Sequence, residues 1–183
     1  MINPNIIGAL AGIKRLQLVP ARYFRLTITK FKYNGTDNPA GTSGDVRISE
    51  LQLFVGATKY PTSAMTGPSS PSPLVASAST TSGSFPPYEA FNNVTGDSSR
   101  WISTTSGAPQ WLQIDLGAGN EILPDSVKIA PDGAVSIGGG YFPVDFKIEG
   151  SNTGLFTGEQ QTFYSATGLD TGWANNTLRT FTF

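Results

Sequence analysis

The sequence predicts an all-β fold, a jelly-roll β-sandwich preceded by an N-terminal arm. Three observations predict it. Apolar residues recur with period two over short runs, most clearly where Leu112, Ile114 and Leu116 point one way and Trp111, Gln113 and Asp115 the other. The 21 glycines and 13 prolines cut the 183 residues into many short segments. Beyond the arm, no run holds helical spacing for long enough to build a helical layer.

The arm covers residues 1–18. Ile6, Leu10 and Ile13 share helical spacing and predict a short amphipathic helix over 6–18, weakened by Gly8 and Gly12. So short a helix is marginal alone and needs a partner surface, on this chain or another. The sandwich follows over 19–183. Its first strand is Arg22–Lys30, with Phe24, Leu26 and Ile28 opposite Tyr23, Arg25, Thr27 and Thr29, and with Phe31 and Tyr33 continuing it. The glycine- and asparagine-rich 34–44 segment reads as a loop. Val46–Val55 is the second strand, and a slip of phase near Ser49 and Glu50 predicts a β-bulge. Residues 62–84 form a Ser/Thr/Pro-rich surface connection in which Leu74, Val75, Ala76 and Ala78 make a short edge strand. Past the 111–116 strand, further strands are expected at 127–130, 142–150, 160–165 and 177–183, with a flexible turn at 132–140. The last strand ties the C-terminus into a sheet.

Composition excludes several classes. A chain of this length can bury roughly 70% of its unfolded surface, so a core needs neither metal nor disulfide. Cysteine and histidine are both absent. Thiolate chemistry, serine–histidine triads and cysteine or histidine metal sites are therefore impossible. Asp115, Asp125, Asp132, Asp145 and Glu149 are the carboxylates left for catalysis, and no facing pair is legible among them. The chain is expected not to be an enzyme. The net charge is -1, but Lys14, Arg15, Arg22, Arg25, Lys30 and Lys32 all precede the first acid, Asp37. They read either as solvated faces or as a basic region docking on an acidic partner. Nucleic acid is not an expected partner. No apolar run approaches a membrane span, and Lys14 and Arg15 follow the early apolar residues rather than precede them, unlike a signal peptide. The glycosylation-like triplets at Asn34, Asn93 and Asn175 read as turn chemistry.

Three phrases, AFNNVTGDSSRW (90–101), PQWLQIDLG (109–117) and VDFKIEGSNTG (144–154), carry a resemblance to the discoidin, or coagulation-factor type C, domains. These belong to the galactose-binding-domain-like jelly rolls, which include carbohydrate-binding modules. The resemblance implies a buried Trp101 with Trp111 beside it. In the usual arrangement, strands like ARYFRLTI and VRISELQLF close the domain; here they open it, at 21–28 and 46–54. That order is similar to the permuted arrangement of such modules in phage virion proteins.

The candidate sites follow from both readings. Tyr141 and Phe142, after three glycines, and Tyr88 are candidate glycan anchors; Tyr60 and Tyr33 are weaker ones. Trp173, in a glycine- and asparagine-rich turn, caps the sandwich or faces a partner. With Ile6, Leu10, Ile13, Lys14 and Arg15 it makes up the candidate partner-binding set. The resemblance also implies a calcium site at Glu50, Asn92 and Asp97, although Asn92 stands where relatives carry an aspartate. The competing reading is an asparagine that closes its own turn. The expected function is a non-enzymatic phage virion protein of tail, baseplate or head. It would assemble with other virion proteins, and as a homo-oligomer, through its arm and sandwich surface. The alternatives are a carbohydrate-binding module for host-surface glycans and a capsid decoration protein. The expected location is the virion, after synthesis in the host cytoplasm.

Overall fold

The computed structural model describes residues 17–33, 35–39, 44–104, 107–132 and 141–183. The expected arm contacts Ile6, Leu10, Ile13, Lys14 and Arg15 lie outside the described residues, as does the 6–18 helix except for Gln17 and Leu18, which are not helical. Among the described residues the chain is an all-β sandwich of two sheets, a jelly-roll architecture without α-helices. Among these residues, no helix is long and apolar enough to cross a membrane.

One sheet holds β1 (Tyr23–Tyr33), β2 (Thr36–Pro39), β5 (Val75–Ala78), β7 (Gln110–Asp115), β9 (Phe142–Ser151) and β10 (Gln161–Ala166), in the order β10-β9-β1-β7-β5, with β2 paired to β1. The other holds β3 (Arg47–Val55), β4 (Thr58–Tyr60), β6 (Trp101–Ile102), β8 (Ser126–Pro131) and β11 (Arg179–Thr182), in the order β11-β8-β3-β4, with β6 paired to β3. A short 3-10 turn, Pro87–Phe91, packs against β3 and β5.

The period-two pattern sets the faces. Phe24, Leu26 and Ile28 of β1 are buried and sit opposite Ile114 and Leu112 of β7 on one side and Ile148 and Phe146 of β9 on the other. The outward residues make their own layer: the Arg25 guanidinium lies 4.2 Å from the Trp111 ring and 3.9 Å from the Phe156 ring. Trp111 is thus on the outer face, not beside Trp101, because strand alternation overrides the family expectation. Trp101 itself is fully buried and donates its indole N–H to the Thr80 carbonyl at 2.9 Å.

The expected bulge is present. The β3–β8 register shifts between Ile48 and Glu50, and the Ser49 hydroxyl is within bonding distance of the Ala130 and Pro131 carbonyls. This inserted residue lets Ile48, Leu51 and Leu53 all reach the core despite their uneven spacing. Close approach also fixes a glycine: a Cβ at Gly150 would stand 2.5 Å from the Phe163 ring and 2.9 Å from the Ala21 methyl.

The structure departs from the sequence reading at several further points. The 34–44 loop contains β2, which forms a hairpin with β1. The two- and three-residue strands β6 and β4 carry too few residues to show alternation. The described basic residues before Asp37 bind within the fold rather than present a free basic face: Arg22 grips Asp115 at 2.6 and 2.7 Å, Arg25 bonds Gln113, and Lys30 and Lys32 both pair with Asp37. Trp173 is buried and caps the core, stacked on Phe142 at 6.0 Å and against Phe181 at 5.7 Å.

The 151–159 turn is organised by one carboxylate. Glu159 accepts hydrogen bonds from the Ser151 and Thr153 hydroxyls, at 2.5 and 2.6 Å, and from the Phe156 and Thr157 amides. The Ser151 bond, then the Thr153 bond, push its pKa down to about 2. A depressed carboxylate contributes its stability above the unfolded value of 4.5 and loses it as pH falls towards 2. Carboxyl NMR should therefore show Glu159 titrating near pH 2. A midpoint at the ordinary glutamate value would contradict this account of the turn.

Candidate functional site

Antiparallel pairing brings five chain positions to one end of the sandwich. There β1 ends at Tyr33, β3 begins at Arg47, β8 ends beside Asp132, β6 begins after Arg100, and β9 begins after Tyr141. The pairs Ile48↔Pro131, Arg47↔Ile102 and Lys32↔Phe142 lock these ends together.

Their side chains form one cluster. Asp132, with a side chain only 2% exposed, accepts from Arg47 at 3.1 Å and from Arg100 at 3.3 Å. Arg47 also bonds Asp45 at 3.1 Å and lies 3.6 Å from the Tyr141 ring centre. Tyr141 meets Tyr33 edge-on at 5.2 Å, and Arg100 lies 4.9 Å from the Phe85 ring. Burial works against the charge on Arg47, but Asp45, then Asp132, outweigh it, and its pKa is raised. Two buried polar atoms of the cluster, Asp45 Oδ1 and Arg100 Nε, have no hydrogen-bond partner among the described residues. Such atoms are uncommon in folded proteins and call for an explanation. Chemically, the cluster offers fixed N–H donors, carboxylate acceptors and aromatic edges, with two positive and two negative charges in balance. It suits an uncharged ligand rich in hydroxyls better than an ion.

Of the expected glycan anchors, Tyr141 and the weaker candidate Tyr33 join this cluster. Phe142 is buried against Trp173, because the strand phase turns it inward. Tyr88 is half-buried on the 3-10 turn, packed against the core, and Glu89 raises its pKa. Arg47, Arg100, Asp45 and Phe85 were not singled out from sequence. The available signal was weak: a charged residue directly beside a buried apolar one at the start of a strand, as in DVRIS and SSRWI.

A family model, the F5/8 type C domain, matches residues 75–183. The chain belongs to this family. No curated protein and no solved structure matches the chain. The matched segment runs from β5 to the last strand, whereas β1 and β3 precede it and yet fill the middle of both sheets. F5/8 type C domains are non-catalytic modules that bind carbohydrate or lipid.

The calcium site implied by the family resemblance can be tested against the residues at Glu50, Asn92 and Asp97. Glu50 is fully buried; it accepts the Asn93 amide at 3.1 Å and the Gln52 side-chain amide at 3.3 Å. Burial pushes its pKa up to about 8. Asn92 gives both its bonds to Glu89 and Ser99, at 2.6 Å each, and its oxygen accepts the Val94 amide at 2.9 Å. It closes its own turn. Asp97 turns instead to Asn176, at 3.0 Å. The Lys59 ammonium binds the Asn93 side-chain oxygen, placing a cation beside the turn already. Calcium takes six to eight oxygen ligands, usually with carboxylates among them. These residues do not fit it: their oxygens are engaged by N–H donors, and among the described residues no group of three acidic side chains assembles.

Proposed function

We propose that this F5/8 type C domain is a carbohydrate-binding module that recognises a surface glycan through the strand-end cluster of Arg47, Asp132, Arg100 and Tyr141. One observation carries the reading: two guanidiniums held by one buried carboxylate and framed by aromatic rings. Fixed forks of donors match vicinal hydroxyls, and rings match the C–H face of a sugar. Carbohydrate is favoured over lipid because, among the described residues, none of the exposed large apolar side chains, Val19, Val55, Val75, Val94, Leu123 and Leu155, belongs to the cluster.

The reading is tested on a glycan array with the labelled protein. Saturable binding to a defined glycan class is expected, and Tyr141→Ala should reduce it at least about tenfold while the fold persists. A blank array would overturn the reading, as would a Tyr141→Ala variant binding like the parent.

A second reading has its own support: β1 and β3 stand ahead of the family segment, an order that resembles the permuted arrangement of such modules in phage virion proteins. In that reading the domain is a phage virion component of tail, baseplate, head or capsid decoration. Synthesised in the host cytoplasm, it docks to neighbouring subunits through residues 1–18. Symmetric repetition turns weak contacts into a stable particle. Deleting residues 1–18 should then leave a folded monomer by light scattering where the full chain oligomerises. Unchanged assembly would remove the arm from the account. The two readings coexist if the particle uses the cluster to reach a host glycan.

A further inference from the structure

The opposite end of the sandwich carries a second concave site. Here β4 ends at Tyr60, β5 begins at Val75, and β7 ends at Asp115. Between them lies a cavity of about 210 Å³. Its floor is apolar: Pro61, Leu74 and Leu116 are buried. Tyr60 and the proline rings at 71 and 73 wall it. Its rim is polar, formed by Thr62, Ser63, Ser72 and Asn120, all exposed.

The cleft is held in shape before any ligand arrives. Gly117 has φ +87°, and a Cβ there would lie 2.4 Å from the Pro73 ring, so the backbone after β7 abuts that proline directly. The Leu74 amide bonds the Pro71 carbonyl at 3.0 Å and the Ala76 amide the Pro68 carbonyl at 2.9 Å. Asn120 donates its side-chain N–H to the Leu116 carbonyl at 2.9 Å, which orients its carboxamide. Among the described residues its oxygen accepts no bond, and the Tyr60, Thr62, Ser63 and Ser72 hydroxyls make none.

Charge and polarity together narrow the ligand. No aspartate, glutamate, lysine or arginine lines the cleft, so an ionic ligand gains no pairing there. A wholly apolar ligand would strip water from the rim hydroxyls and the Asn120 oxygen without replacing their bonds. A pyranose has the complementary form, with C–H faces for the prolines and Tyr60 and hydroxyls for the rim. We propose that this cleft is a second binding site, for one neutral saccharide unit, distinct from the arginine cluster. The domain then contacts glycan at both ends and can bridge two chains or two stretches of one chain.

The test is an amide NMR titration of the full chain with the methyl glycosides of galactose, glucose, mannose and N-acetylglucosamine. At least one sugar should shift the Asn120 side-chain amide together with the Leu74 and Gly117 backbone amides. Both Thr62→Trp, which fills the cleft from an exposed position, and Asn120→Ala should weaken that response about tenfold in proteins whose remaining spectrum is unchanged. Tyr141→Ala should leave it intact, which separates this site from the cluster at the other end. The proposal is overturned if none of the four sugars moves these amides. It is equally overturned if the shifts persist in a folded Thr62→Trp variant.

Discussion

Asp132→Ala should destabilise the protein by about 2–4 kcal/mol and abolish glycan binding with it. The carboxylate is almost completely buried and neutralises two guanidiniums whose side chains are 20% and 14% exposed. Its removal leaves two mostly buried cations facing each other, with Asp45 as the remaining close partner of Arg47. The loss is larger than the net worth of the pair, because it includes the cost of stranding the arginines. Asp132→Asn should lose less, since the amide oxygen still accepts one bond. Asp97→Ala provides the contrast: that side chain is 64% exposed and stands 4.0 Å from Arg100, so its removal should change stability little. Urea denaturation of the three variants checks the ordering. Equal midpoints for Asp132→Ala and the parent would show that the cluster does not hold the strand ends together.

Glu50→Gln should stabilise the protein at about pH 8 by roughly 1–3 kcal/mol and change it little at about pH 4. Burial between β3 and the 92–94 turn raises the carboxyl pKa from 4.5 to about 8, against the opposing effects of the Gln52 and Asn93 bonds and the Lys59 charge. Between those values the folded state keeps a proton that the unfolded chain has released. Stability therefore falls as pH rises through the window, and the loss is complete once the folded carboxyl also ionises. Glutamine keeps the shape and one of the two acceptor oxygens without the ionisation. Thermal melts at the two pH values read the difference directly, and a variant whose gain is the same at both would refute the buried-proton account. Added calcium should leave the melting temperature of the parent unchanged, in line with the engaged oxygens around Asn92.

The sequence showed the sheets better than the site. Alternation at Tyr23–Ile28 and Trp111–Leu116 was legible because each strand buries one face, and the phase slip at Ser49 was legible because a bulge reverses that alternation. Trp101 was legible through the family phrase. The short strands β4 and β6 were not, since their existence depends on β3 lying alongside rather than on their own residues. Trp173 was ambiguous for a related reason. Its local sequence is a turn, and its burial comes from Phe142 and Phe181 on other strands. The arginine cluster was the hardest to foresee. Arg47 and Asp132 are 85 residues apart and Arg100 and Asp132 are 32 apart. Each reads alone as a solvated charge, and only the pairing of β3 with β8 and β6 brings them into contact.

The recognition claim rests on the guanidiniums at the end of the sandwich where β3 begins, and arginine side-chain NMR reads them directly. With the glycan selected on the array, the Nε–H resonances of Arg47 and Arg100 should shift in step with saturation, along with the Tyr141 ring protons. Saturating binding that leaves all three unmoved would contradict the assignment and place recognition elsewhere on the domain.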